Sequence, residues 1–321
     1  MIQRRAVVAC TVGAALVSLT GLPGLAQAQQ AQEIYIPLVS KGFQHQFWQA
    51  VKSGAEQAGK DLKVKVSFEG PETEAMVDKQ IDMLSAALAK KPQAIGFAAL
   101  DSQAAIPLLK KAQAAKIPVV AFDSGVDSDI PATTTTTDNK AAAALAADKM
   151  AELIGKSGEV ALVVHDQTSR TGVDRRDGFV NRIKSTYPNI KIVSVQYGGG
   201  DQLKSTEITK SILQASPNLK GIFGANEGSA IGVVNGVKEM KRTGKVVVIG
   251  YDSGKQQKNA IMDGSMAGAI TQNPVGMGYK TVEMAVKAVK GEKLPKIVDT
   301  GFFWYDKTNI ADPKIAAVLY D

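Results

Sequence analysis

Polar side chains with two hydrogen-bonding atoms recur at one kind of place along this chain, directly after short apolar runs. Ser40 to Trp48, Asp101-Ser102, Asp123-Ser124, Asp166-Gln167, Asn226-Glu227, Asp252-Ser253 and Gln272-Asn273 each follow such a run. A carboxylate or a planar amide can serve two neighbouring hydroxyls, and the pair Phe47-Trp48 offers a flat apolar face. That combination suits a polyol or a sugar ring. Each residue alone has a plainer use, since Asp and Asn at strand ends cap the next helix. Their recurrence after nearly every run is what points to a ligand.

Other chemistries find little support. The two histidines, His45 and His165, stand in no recognised metal-ligand spacing and read as isolated side chains. No Gly-x-Ser-x-Gly elbow occurs. Gly155-Lys156-Ser157 ends like a phosphate-binding loop, but Met150 stands where its first glycine belongs. The run Gly198-Gly199-Gly200 fails the same test, because Leu203 precedes Lys204-Ser205, and it reads as a turn. Asp123 and Asp252 could be imagined as the paired carboxylates of a glycosidase, yet their neighbours are hydrogen-bonding groups suited to an intact sugar. The chain reads as a binding protein, not an enzyme, with no cofactor and no metal.

These residues need a scaffold that repeats. Strands are expected at Ile34 to Val39, Leu62 to Phe68, Ala94 to Ala98 and Pro118 to Phe122, then at Glu159 to His165, Ile190 to Val195, Gly221 to Gly224, Val246 to Gly250 and Ala267 to Gln272. Amphipathic helices lie between them. Val77, Ile81, Leu84 and Leu88 share one helical face, and Val51, Ala55 and Ala58 line a close-packing side of Phe47 to Lys60. The alternation predicts α/β architecture: two doubly wound, Rossmann-like parallel-sheet lobes. In such sheets ligands bind beyond the carboxyl ends of the strands. The tract Thr133 to Thr137 is good strand material, expected to cross between lobes and end in Asp138 or Asn139 as the cap of the next helix.

Of 321 residues, 45% are hydrophobic and 21% charged, the mixture of a well-packed globular protein too long for one core. Residues 1–28 stand apart. Arg4-Arg5, an apolar run from Ala6 to Leu19, and Ala26-Gln27-Ala28 form a secretory signal cut after Ala28, with export to the periplasm by the general secretory route. Cys10, the one cysteine, falls inside that signal, so disulfides and thiol chemistry are excluded from the exported chain. Losing Arg4 and Arg5 takes the net charge from +7 to +5. The remaining basic residues are scattered, without the stripe a nucleic-acid surface needs.

Taken together, the sequence resembles the ribose-binding-protein-like family of periplasmic sugar-binding proteins. The resemblance runs from about Glu33 to the end and rests on Phe47-Trp48 with Val51-Lys52-Ser53-Gly54-Ala55, Ile117 to Asp123, Thr137-Asp138-Asn139, Arg175 to Phe179, Gly224 to Glu227, and Ile249 to Asp252. It implies the type I periplasmic binding protein fold with a three-crossover hinge. Lobe one would be 29–138 plus 273–302, and lobe two 139–272 plus 303–321. It also implies a sugar clasped by Phe47, Trp48, Asp123, Arg175, Asn226, Asp252 and Gln272, with His45, Asp101, Ser124 and Asp138 as further candidates. Ser124, where ribose receptors carry an arginine, and His45-Gln46, where they carry asparagine and proline, argue against ribose itself.

Asp123, Asp252 and Arg175 sum to −1, which favours a neutral monosaccharide or polyol. Charged hydrogen bonds at roughly 1.5 to 3 kcal/mol each reach the roughly 8 kcal/mol of micromolar binding. The expected function is capture by a monomer and delivery to an ABC transporter permease in the inner membrane. The alternative is a sensor docking on a chemoreceptor or histidine kinase, or binding a furanone-like signal. A lac-type repressor would begin with a helix-turn-helix, where this chain has an export signal.

Overall fold

The computed structural model describes residues 33–321; the expected export signal, Cys10 and the cleavage position after Ala28 lie outside them. Strands and helices alternate from the start: β1 (Tyr35–Val39), α1 (Gln46–Leu62), β2 (Lys65–Glu69), α2 (Val77–Ala89), β3 (Ile95–Phe97), α3 (Ile106–Ala114), β4 (Val119–Phe122) and β5 (Thr133–Thr136). A second series follows: α4 (Asn139–Leu153), β6 (Gly158–Val164), α5 (Arg170–Thr186), β7 (Ile190–Tyr197), α6 (Gln202–Ala215), β8 (Leu219–Gly224), α7 (Glu227–Glu239), β9 (Val247–Tyr251), α8 (Lys255–Met262) and β10 (Gly268–Gln272). The chain closes with α9 (Pro274–Val289), β11 (Ile297–Asp299), β12 (Phe302–Tyr305) and α10 (Pro313–Ala316).

The strands form two six-stranded sheets, β11-β5-β4-β3-β1-β2 and β12-β10-β9-β8-β6-β7. All pairings are parallel except β10 with β12. Each order reverses beside its first strand, at β1/β3 and again at β6/β8, which opens a crevice at the carboxyl ends of both sheets. Helices cover both faces, so the central strands are nearly continuous apolar runs, as in β4 (VVAF) and the end of β6 (VALVV), both fully buried.

The chain passes from one sheet to the other between β5 and α4, between β10 and α9, and between β11 and β12. These passages run side by side: Thr300 N–H donates to the Thr136 carbonyl, and the Thr137 hydroxyl reaches the Gly301 carbonyl. The threonine tract is indeed a strand, but it belongs wholly to the first sheet. Thr133 and Thr135 face inward, Thr135 Oγ1 lying 2.6 Å from Thr281 Oγ1 on α9, and the crossing follows at Thr137-Asp138.

Several elements differ from the periodicity. Residues 62–64 end α1 instead of starting β2, because Lys63 takes a left-handed conformation (φ 55°) and returns its N–H to the helix. The short α8, β11, β12 and α10 escape a reading based on long periodic runs. Among the described residues no helix is long and apolar enough to cross a membrane.

In the first lobe α1 and α9 pack so closely that glycine is obligatory at the crossing. A Cβ on Gly54 would meet the Val275 carbonyl at 1.9 Å, and one on Gly278 the Val51 carbonyl at 1.9 Å. Gly278→Ala must therefore push the helices apart, and a loss of about 1–3 kcal/mol is expected. Calorimetry should show a lower melting temperature for Gly278→Ala, with the half-exposed Val275→Ala on the same helix close to the unaltered protein.

Candidate functional site

The carboxyl ends of the two sheets meet at a narrow pocket whose empty space, open mouth included, is about 250 Å³. The first lobe contributes Lys41, His45, Phe47, Trp48, Glu74 and Asp123; the second contributes His165, Arg175, Asn226, Asp252 and Gln272. Every one of these side chains is buried.

Local folding explains their aim. Asp123 directly follows β4 and Asp252 directly follows β9, both in left-handed backbone, with φ of 54° and 81°. Each donates its N–H to the neighbouring strand, Asp123 to Thr135 O (2.9 Å) and Asp252 to Ile270 O (2.6 Å). Corresponding positions in the two lobes thus turn a carboxylate away from the sheet. Non-glycine residues in this conformation are strained and are held by their surroundings.

Those surroundings are mostly charge. Arg175, in the second turn of α5, lies 3.7 Å above the Tyr251 ring, donates from Nε to Asn139 Oδ1 (2.8 Å) and from Nη1 to Ala225 O (3.0 Å). Burial works against its charge, but Tyr251, Asp252, Asp123 and Glu74 outweigh that cost and keep it cationic. Lys41 lies 4.0 Å from Asp123 and donates to Thr171 Oγ1 at 3.1 Å. Asp252 accepts from Gln272 Nε2 (2.7 Å) and from the Glu227 backbone N–H (2.9 Å). Burial raises the Asp252 carboxyl, with Arg175 opposing, and lifts Asp123 to about 6 against the pull of Lys41 and Arg175.

Glu74, in the loop after β2, accepts from Trp48 Nε1 at 2.7 Å and from Asn226 Nδ2 at 3.4 Å. Burial pushes its carboxyl up, yet Lys41, His45, His165 and the Trp48 N–H together bring it below its ordinary value. His165 is driven well down by burial and by the charges of Lys41 and Arg175, so its imidazole is neutral. Three lining side chains keep a buried polar atom with no protein partner: Nδ1 of His45, Nδ1 of His165 and Oε1 of Gln272. Such atoms are costly unless something hydrogen-bonds them.

The cavity gathers Phe47, Trp48, Asp123, Arg175, Asn226, Asp252, Gln272 and His45 from the sequence-derived set. It leaves out three. Asp101 Oδ1 caps its own turn, accepting from Gln103 and Ala104 N–H. Ser124 is fully buried in the strand-end loop away from the cavity lining, its carbonyl taking the Ala99 N–H. Asp138 caps α4 through Ala141 N–H and borders an adjoining groove beside the crossing strands, which shares Asp123 with the cavity.

Conversely, Lys41, Glu74 and His165 line the cavity although sequence reasoning did not single them out, and it took His165 for an isolated histidine. All three sit beyond strand carboxyl ends, the signal that found the others. Among the described residues no group of three or more His, Cys, Asp or Glu is arranged to hold a metal ion.

Two doubly wound lobes that enclose a polar cavity between their carboxyl ends define a cleft-type ligand-binding protein. Residues 36–293 match the periplasmic binding protein domain family, and the chain belongs to that family. It is similar to the D-allose-binding periplasmic protein of Escherichia coli K12, 29% identical over 86% of this chain and 91% of that one. Among solved structures it resembles a carbohydrate transporter solute-binding protein from Agrobacterium radiobacter in complex with D-arabinose: 34% identity, TM-score 0.86, 90% of this chain and 99% of that one. An ABC transporter solute-binding protein from Agrobacterium vitis with bound D-fucose is equally near, at 34% identity and TM-score 0.86, covering 89% of this chain and 100% of that one. These relatives are binding proteins of transport systems and not enzymes.

The Glu74 pair has a measurable consequence. A carboxyl depressed from 4.5 in the folded state contributes stability that is present above about pH 4.5 and is lost as pH falls through the lower folded value. Melting curves of Glu74→Gln between pH 7 and pH 3 should therefore show a shallower acid-side fall than the unaltered protein. Trp48→Phe removes the indole donor and leaves the carboxylate short of a partner, an expected loss of about 1–3 kcal/mol at neutral pH.

Proposed function

We propose that this protein captures one neutral monosaccharide or polyol in the periplasm and delivers it to the permease of an ABC importer. A buried polar cavity between two lobes carries the reading, with unpartnered atoms on His45, His165 and Gln272 that ligand hydroxyls would satisfy. Asp123 and Asp252 accept hydroxyl protons from opposite sides. Arg175, with Nε and Nη1 engaged by the protein, donates its remaining N–H groups to ring or hydroxyl oxygens, and Asn226 and Gln272 supply mixed donors and acceptors. Phe47 and Trp48 form the apolar wall for the ring's C–H face. Lys41, Glu74 and His165 complete the set.

With His165 neutral, the formal charges of Lys41 and Arg175 against those of Glu74, Asp123 and Asp252 sum to −1. A phosphorylated sugar would bring further negative charge into a water-poor space and is selected against. The ligand's contacts with both lobes give it a differential affinity for the closed form, which shifts the equilibrium towards closure and displays a composite surface to the permease. We place lobe one at 33–138 plus 273–301 and lobe two at 139–272 plus 302–321, one residue earlier than the expected boundary because Phe302 pairs with Gln272 in the second sheet, and the exported monomer begins after Ala28.

A thermal-shift panel of protein stripped of carried-over ligand tests the reading. Ligand that binds only the native state raises the melting temperature by mass action. D-arabinose, D-fucose and D-allose span the pentose, deoxyhexose and hexose classes, and a selective rise with a neutral sugar or polyol is expected, with none for D-ribose 5-phosphate. A flat panel across neutral sugars and polyols sinks the proposal. In Asp252→Ala the ligand-free melting temperature should persist while the sugar-induced rise disappears; an unchanged dissociation constant would remove Asp252 from the site.

A further inference from the structure

We infer that closure of the cleft is latched by reciprocal helix capping, each lobe capping a helix of the other. Six helices, α4, α5, α6, α7, α9 and α10, are capped by their own N-cap side chains. The helices α1, α2, α3 and α8 are not, and of these α1 and α8 draw on the other lobe: the N-cap of α1, His45, makes no side-chain capping bond. Glu227 of the second lobe supplies it instead, Oε1 accepting from Gln46 N–H at 3.0 Å and Oε2 from Phe47 N–H at 3.1 Å. The helix α8 of the second lobe starts after Gly254, which has no side chain to offer. Gln46 of the first lobe fills that role, its Oε1 accepting from Lys255 N–H at 2.7 Å.

The two caps interlock. Gln46 is both the first residue whose N–H is capped and the residue that caps in return. Glu227 donates its own backbone N–H to Asp252 Oδ2, so the carboxylate at the cavity is tied through one residue to the helix that carries Phe47 and Trp48. Glu227 is only 4% exposed and does not line the cavity. It acts as a positioning residue. Its negative charge lies at the positive end of α1 while itself opening α7, so closure brings it a second helix dipole. When the lobes part, water takes over the bare N–H groups and the carboxylate. The bonds then favour the closed state without stabilising either lobe by itself.

The inference rests on the reading of the lobes as halves that close on a sugar, and the test separates the two. Glu227→Gln and Gln46→Leu are compared with the unaltered full chain by calorimetry without ligand and by stopped-flow tryptophan fluorescence with D-arabinose. Because a charged hydrogen bond is replaced by a weaker neutral one, Glu227→Gln should release D-arabinose about tenfold faster. Loss of an ordinary cap in Gln46→Leu should speed release about threefold to fivefold. Association rates should stay within about twofold, and ligand-free melting temperatures within about 1 °C, since the bonds are absent from the open form.

Unchanged release rates in both variants would overturn the latch. So would a ligand-free melting temperature that falls as far as the sugar-bound one, since the caps would then be permanent structure. If the unaltered chain ignores D-arabinose, the choice of sugar fails and the ligand-free arm still decides. There, a fall of more than about 3 °C in either variant refutes the latch and an unchanged value upholds it.

Discussion

Charge buried between two lobes has to be balanced there, and the architecture of this protein follows from that requirement. Three carboxylates and two cations line one small cavity, where an unpaired ion would cost several kcal/mol. None of the five is left alone. Arg175 is stacked on Tyr251 and pinned through Asn139 and Ala225, Lys41 is held between Asp123 and Thr171, and Glu74 takes the Trp48 indole. The left-handed backbone at Asp123 and Asp252 costs about 1–3 kcal/mol at each site, and the adjoining strands hold it through Thr135 and Ile270. Fixing these groups beforehand is what lets a ligand meet oriented donors and acceptors without ordering them itself.

Much of this was legible in the sequence because the fold repeats a rule. In a parallel sheet every strand ends on the same side, so a polar residue just past an apolar run is placed before any tertiary contact is known. Asp123, Asn226, Asp252 and Gln272 followed from that rule, and Arg175 from its Arg-x-x-Gly-Phe setting. Glu74 did not, because it lies five residues past β2 in a loop whose acidic residues look solvated, and only packing against Trp48 reveals it as buried. Lys41 stood within a flagged stretch, but lysine is rarely buried, and its partner Thr171 is 130 residues away. Asp101 and Asp138 stay outside the lining because local turn and cap geometry claims one oxygen of each, the cap at Asp138 falling where the sequence placed it.

The helix N-termini show a similar division between local and distant information. Asp138, Ser169, Asp201, Asn226 and Asn273 cap their own helices and mark those starts in the sequence. That mark is missing at Met76, Ala105, His45 and Gly254, and at the last two the cap comes from the opposite lobe. The replacements, Glu227 and Gln46, are 181 and 209 residues distant from the amides they serve. A gap in local logic at the cleft is thus where the two halves of the molecule depend on each other.

Electrostatics also sets the direction of the conformational coupling. Burial pushes the carboxyls of Asp123 and Asp252 upward, so enclosing them as ions without a partner is unfavourable, and the cations beside them offset only part of that cost. In the proposed reading, hydroxyl donors from a sugar would supply what Lys41 and Arg175 do not, while leaving the charge balance unchanged. A ligand of this kind therefore stabilises the closed lobes more than the open ones, which is the condition for it to drive closure. An anion would take up Arg175 and Lys41 and leave the carboxylates facing more negative charge; an apolar molecule would leave His45, His165 and Gln272 unsatisfied. Neutrality and a high density of hydroxyls are thus demanded by the same buried charges that hold the cavity in shape.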